Sequence, residues 1–311
     1  MKRKHRKTTH GSLNLRNSFS FLLTFMISIL IFGSIAALLL HFSMPALNSS
    51  DENALEPVHS SSDSSSDASS DFPASNTMTM LISIRSDPNG EPAELILYRL
   101  DAAKRRILLM PISPNLEVNY NSDAHAIREV VKTDGIKPAS IALANLLSAK
   151  IDFSCDIYYD NFIKIFDSIG GLYFYVPQNV DAALPDQSKI SLPESTRQYL
   201  DGSKIYALLS FPSYNGGDTE RYNVQADLMK EFISEKFTDF YLKLNTSQFS
   251  GLFNYVSTDF SMNELVKRAD AMTFLSSEKY ITAVAPSFSD YPAGNGLLQF
   301  SEADLIKNYF K

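Results

Sequence analysis

Cysteine is almost missing from this chain: Cys155 is the only one in 311 residues. A single thiol leaves no disulfide framework and no C-x-x-C pair for metal or redox work. Cys155 lies in an apolar stretch, IDFSCDIYY, and neither His59 nor His125 is placed to activate it, so it reads as a small core residue. Histidine is scarce as well, and H-E-x-x-H, G-x-G-x-x-G and the Walker loop are all absent. His125 has no partners for a Ser-His-Asp set. Ser276-Ser-Glu-Lys279 matches S-x-x-K, but Lys132-Thr133-Asp134-Gly135 does not supply the K-T-G that should accompany it, so the match reads as a helix terminus. Nor is there an excess of basic charge, since 28 Lys and Arg face 35 Asp and Glu. Without a basic stripe, nucleic acid is excluded as a partner.

What is present is segregated by sign. Residues 1–17 carry Lys2, Arg3, Lys4, Arg6, Lys7 and Arg16 and no acid. Residues 19–42 are uncharged and strongly apolar, and as a helix they would span ~36 Å, enough for a hydrocarbon core of ~30 Å. A cleaved signal peptide would have a shorter apolar core and a small-x-small site, so an uncleaved anchor is expected over residues 18–44. The flanking bases put the N-terminus in the cytoplasm and the rest outside the cell. Residues 45–76 are rich in Ser and Asp, with Asp51, Glu52, Glu56, Asp63, Asp67 and Asp71 and no Lys or Arg. Such a stretch buries too little surface to offset chain entropy and reads as a disordered linker. The domain is then 77–311.

Within it, residues 78–84 read as a buried strand, and 95–100 with 106–110 as a hairpin around a charged turn. Residues 124–132 and 138–149 are helical by composition. Asp160 is expected to cap a helix that Gly170-Gly171 ends, with a strand over 172–176 paired in the main sheet. A helix over 202–209 and a long one over 218–237 follow, the latter with Val224, Leu228, Phe232 and Phe237 on its apolar face. Helices over 252–256, 263–274 and 302–310 alternate with strands over 279–285 and 297–300. This interleaving predicts an α/β fold, a mixed sheet flanked by helices on both faces. Asn215-Gly216-Gly217-Asp218 reads as a tight turn leading to Asp218 as N-cap, although a Gly turn into a helix start also offers N–H groups to an anion.

The order of these parts resembles the exterior domain of the LytR-CpsA-Psr family, bacterial membrane-anchored enzymes that move glycopolymers from a polyprenyl-pyrophosphate carrier onto the cell wall. Residues 95–111, LILYRLDAAKRRILLMP, look like the family's hairpin before its I-P-R-D segment. YYDNFIKIFDSIGGLYFYVP is similar to its Gly-Gly segment, Leu200-Asp201-Gly202 to its L-x-G, and Asp218-Thr-Glu-Arg221-Tyr-Asn-Val-Gln225 to its D-x-x-R-x-x-R-Q helix start.

By that resemblance, several arginines and two aspartates should hold a pyrophosphate and a magnesium ion. Here Ile112 and Ser113 stand for the arginine and acid of I-P-R-D. The acids expected elsewhere fall near Arg85 and Ala93, and further arginine positions fall on Ser210, Pro212 and Val224. Asp218, Arg221 and Gln225 remain as the implied pyrophosphate or lipid-phosphate ligands. Cleaving a pyrophosphate needs a metal or arginine clamp on the developing charge, and one arginine pairs with one phosphate group.

Three readings follow. The first is a member that binds a polyprenyl-linked glycan, cell-wall polymer or partner without transferring it, needing no cofactor and no metal. The second is an active phosphotransferase with Mg2+ and relocated ligands such as Asp156, Asp160 or Glu220. The third is an unrelated surface interaction domain. In the first two readings the implied trio could instead be structural, with Asp218 capping the helix and pairing with Arg221 on the surface.

Overall fold

The computed structural model describes residues 72–194, 197–238, 250–292 and 294–310. The basic tail, the expected membrane helix and most of the expected linker lie outside these residues. Among the described residues no helix is long and apolar enough to cross a membrane.

Strands β1 (Met78–Arg85), β2 (Pro92–Asp101) and β3 (Arg106–Ile112) form an antiparallel meander. β4 (Glu117–Tyr120) and β5 (Asp123–Ala126) make a hairpin that leads into helices α1 (Ile127–Asp134) and α2 (Ile136–Leu147). β6 (Phe153–Tyr158) returns parallel to β1 and runs into α3 (Tyr159–Ser168). Short strands β7 (Leu172–Phe174), β8 (Val180–Ala183), β9 (Lys189–Leu192) and β10 (Gln198–Leu200) follow, then α4 (Gly202–Ser210) and the long α5 (Gly217–Lys236). β11 (Ser257–Thr258), α6 (Met262–Ser277), β12 (Ile281–Ala283), β13 (Phe288–Asp290), β14 (Leu298–Phe300) and α7 (Ala303–Asn308) complete the order.

The main sheet runs β11-β6-β1-β2-β3-β12 and mixes parallel and antiparallel pairs. Central strands are buried on both sides, which is why β1 and β2 read as nearly continuous apolar runs. Alternation sends Ile84, Ile96, Tyr98 and Cys155 to one face, under α3, α4, α5 and α6. It sends Leu81, Leu95, Leu97 and Leu108 to the other, under α1, α2 and α7. The expected mixed sheet with helices on both faces is therefore observed.

The Gly-Gly stop is the most informative local element. Gly171 N–H donates to the Phe166 carbonyl at 2.8 Å and Gly170 N–H to that of Asp167 at 3.2 Å, the paired bonds of a Schellman ending. Both glycines have positive φ, and a Cβ on Gly171 would lie 2.2 Å from the Leu200 carbonyl oxygen. The ending thus turns the chain into β7 and lets β10 pack closely beside it.

Several expectations are corrected. Asp160 does not cap α3: the helix starts at Tyr159 with Tyr158 at the N-cap, and Asp160 is exposed in the first turn, where its charge suits the helix dipole. Likewise α5 starts at Gly217 with Gly216 at the N-cap, so Asp218 is a first-turn residue. The strand beyond Gly171 pairs with β10 in its own two-stranded ribbon, not in the main sheet. Val176 lies outside any strand and is fully buried, the ladder ending at Phe174. Residues 124–126 pair with β4 before α1 begins, cross-strand pairing overriding a helix-like composition. Residues 253–255 make only a 3-10 turn.

The linker also ends sooner than expected. Phe72 packs its ring 5.5 Å from Phe274, and the buried Asn76 accepts a bond at its carbonyl from Arg268 Nε at 3.1 Å.

Candidate functional site

Two polar clusters are buried in the main sheet, on opposite faces. On the α1–α2 face, Asp156 of β6 pairs with Arg85 of β1, and Ser83 Oγ donates to the same carboxylate at 2.7 Å. Arg85 also donates to the Pro88 carbonyl at 2.9 Å and lies over the Tyr158 ring, so it ties down the β1–β2 turn. Its partners are all structural, and Asp156 is fully engaged by them.

The second cluster lies under α5 and gathers two of the three residues implied by the resemblance. Arg221 Nη2 donates to Glu94 Oε1 at 2.5 Å and to the Ala93 carbonyl at 3.3 Å. Gln225, one turn further, donates from Nε2 to Glu94 Oε2 and to the Leu209 carbonyl at 2.7 Å. Asp218 is exposed and makes no ion pair with Arg221; it lines a separate surface pocket with Thr219, Tyr222 and Asp290. The surface i,i+3 pair imagined for Asp218 and Arg221 is replaced by a buried pair with Glu94.

Glu94 is the residue that the sequence reading missed. It stands one position beyond Ala93, where an acid was sought, and is an isolated carboxylate in the apolar run PAELILY. Only 1% of it is exposed. Burial holds its carboxyl up at about 7, even though Arg221 and Gln225 both favour the charged form. For Arg221, burial works against the charge but Glu94 more than offsets it, leaving the guanidinium above its usual range. Arg221 Nε and Gln225 Oε1 are buried with no hydrogen-bond partner.

Beside this pair, on the same side of the sheet, lies an apolar cavity of about 230 Å³. Its walls include Met80, Ile82, Ile96 and Ile157 from the sheet and Met229, Phe232 and Ile233 from α5. Glu94, Arg221 and Gln225 do not line it, but Ile96 is the next residue after Glu94 on its face of β2 and Met229 is one turn beyond Gln225, so the polar pair neighbours the cavity wall. Cys155 lines the cavity too, and burial pushes its thiol up to about 12, which removes the thiolate a nucleophile needs.

The remaining candidates do not join the cluster. Asp160 is exposed, and Glu220 accepts the Gly216 N–H at 2.5 Å. Asn215 N–H is taken by Gln178 Oε1 at 2.8 Å and Gly217 N–H by the Tyr214 carbonyl at 2.9 Å. Three of the four amides of residues 215–218 are therefore engaged within the protein. At the family's I-P-R-D positions, Ile112 is core and Ser113 is buried, bonded to the Tyr222 hydroxyl.

The model of the LytR-CpsA-Psr family matches residues 95–307, from β2 to the last helix. The chain belongs to the LytR-CpsA-Psr family. Solved structures agree on the LytR-CpsA-Psr fold. A protein from Eubacterium siraeum DSM 15702 is 15% identical with a TM-score of 0.66, over 82% of this chain and 98% of that one. TagV of B. subtilis is 17% identical with a TM-score of 0.63, over 75% and 95%. A LytR-Csp2A-Psr enzyme from Actinomyces oris is 16% identical with a TM-score of 0.61, over 75% and 89%. No curated protein matches the sequence significantly.

Proposed function

We propose that this LytR-CpsA-Psr protein is a membrane-anchored, exterior component of bacterial cell-envelope biogenesis that holds a polyprenyl-phosphate-linked glycan without transferring it. The observation carrying the proposal is an apolar cavity whose wall begins one step along β2 from Glu94 and one turn along α5 from Gln225, next to the buried Arg221–Glu94–Gln225 cluster. An occupant matched to it has an apolar chain and a charged or strongly polar head, as a polyprenyl phosphate does. Residues 19–42 would anchor the domain where such lipids reside.

Transfer asks for more. Glu94 is the one carboxylate paired with Arg221 among the described residues, and Arg221 and Gln225 engage both of its oxygens. Among the described residues no three His, Cys, Asp or Glu side chains gather into a set that could hold a metal ion. The residues present thus do not fit Mg2+, and Arg221 alone would face a pyrophosphate that needs a clamp.

The test is to incubate the full-length protein, purified in detergent, with a lipid-linked glycan and Mg2+. Retention of the intact lipid is expected. Magnesium-dependent release of undecaprenyl phosphate would overturn the non-catalytic reading.

A further inference from the structure

We propose that Glu94 is a resident occupant of the anion position beside Arg221 and Gln225, so that the site admits a phosphate group only when the Glu94 carboxyl is uncharged. This rests on the lipid-phosphate reading above and concerns how that same site opens. Arg221 and Gln225 each donate to one oxygen of Glu94, the arrangement they would offer to two oxygens of a phosphate. A phosphate entering beside the ionised carboxylate would place two like charges within bonding distance in a medium of low dielectric, where both do not stay ionised.

The groups facing Glu94 make the balance explicit. Arg221 and Gln225 come from α5, as does Tyr222; Tyr206 comes from α4 and Tyr214 from the connection to α5. All three tyrosines, neutral at physiological pH in any case, are raised further by burial first, with the Glu94 charge adding to it. Arg221 is thus the one cation among these groups and Glu94 the one buried acid, while Asp218 acts on Arg221 and Tyr222, and Glu220 on Tyr214, from the first turn of α5. Neutralising Glu94 leaves a net positive pocket, with Arg221 Nε and Gln225 Oε1 lacking partners as spare donor and acceptor. Because burial sets the Glu94 carboxyl near 7, its charge changes within the physiological range.

If only the neutral form binds, the apparent affinity scales with its fraction. That fraction is near one at pH 5.5 and about one tenth at pH 8, so binding should weaken about tenfold between them. The experiment titrates the full-length protein in detergent with inorganic pyrophosphate and with farnesyl phosphate at both pH values, alongside Glu94→Gln. The expected result, for either probe, is about tenfold weaker binding by wild type at pH 8 than at pH 5.5, once the variant's own change with pH is divided out. Wild-type binding at pH 8 should also take up about one proton, measured without any variant in buffers of different ionisation enthalpy. If wild type and Glu94→Gln change together with pH, or no proton is taken up, the occupant role is wrong while the lipid-phosphate reading stands. If neither protein binds either probe at any pH, both fall.

Discussion

Glu94 and Arg221 stand 127 positions apart in the chain, yet a guanidinium nitrogen of one lies 2.5 Å from a carboxylate oxygen of the other. The Glu94 side chain is 2% exposed and that of Arg221 16%, so the pair joins β2 to α5 in the interior. Removing either partner therefore differs from breaking a surface contact.

Arg221→Ala leaves a buried carboxylate without its cation. Breaking a fully buried pair costs about 3–5 kcal/mol; discounted for the partial exposure of Arg221, roughly 2–3 kcal/mol is expected at pH 8. At pH 5, with Glu94 protonated, the loss should shrink to below about 1 kcal/mol. Urea denaturation at the two pH values reads both figures, and equal losses would contradict the pairing.

The Glu94 carboxyl, raised from the ordinary 4.5 to about 7, makes a signed contribution to stability. The folded state holds this proton more tightly than the unfolded state. The contribution is therefore fully present below about 4.5 and is lost as pH rises through about 7. The difference in unfolding free energy between wild type and Glu94→Gln should shift by roughly 3 kcal/mol across that window, in favour of the variant at high pH. A difference that stays flat would show that Glu94 is not the titrating group.

Across the sheet, Asp156→Ala should cost about 3–5 kcal/mol, because it strands the buried Arg85. Lipid-phosphate binding should be unchanged, since this cluster lies on the opposite face from Arg221. Loss of binding in a variant that remains folded would mean that the two faces are coupled.

Gly170 and Gly171 are separable by substitution. Gly170→Ala meets no atom within 4 Å and should cost only about 1 kcal/mol for its positive φ. Gly171→Ala meets the Leu200 carbonyl as well, so it should cost more than twice as much and loosen the β7–β10 ribbon. Thermal denaturation of both variants ranks the two effects.

Much of this architecture is legible in the sequence because the central strands and long helix carry their burial in local patterns. Met78 to Arg85, the β2–β3 hairpin and Val224, Leu228 and Phe232 on α5 are periodic enough to place. Helix caps were less legible, since Asp160 and Asp218 suit a first turn as well as an N-cap. The ribbon of β7 with β10 depends on residues 24 or more positions apart, and no local signal chooses it over the main sheet. The partner of Arg221 was hidden for the same reason. An acid flanked by apolar residues in PAELILY announces a buried charge, but only the fold says which cation meets it.

Binding of undecaprenyl phosphate to the full-length protein at pH 5.5, compared with Arg221→Ala, tests the central claim most directly. At that pH Glu94 is uncharged, so the variant keeps its fold while losing the head-group contact. Wild type should bind the lipid, and the variant at least tenfold more weakly, equivalent to ~1.4 kcal/mol. Equal binding by the two, or no binding by wild type, would contradict a lipid-phosphate site at Arg221.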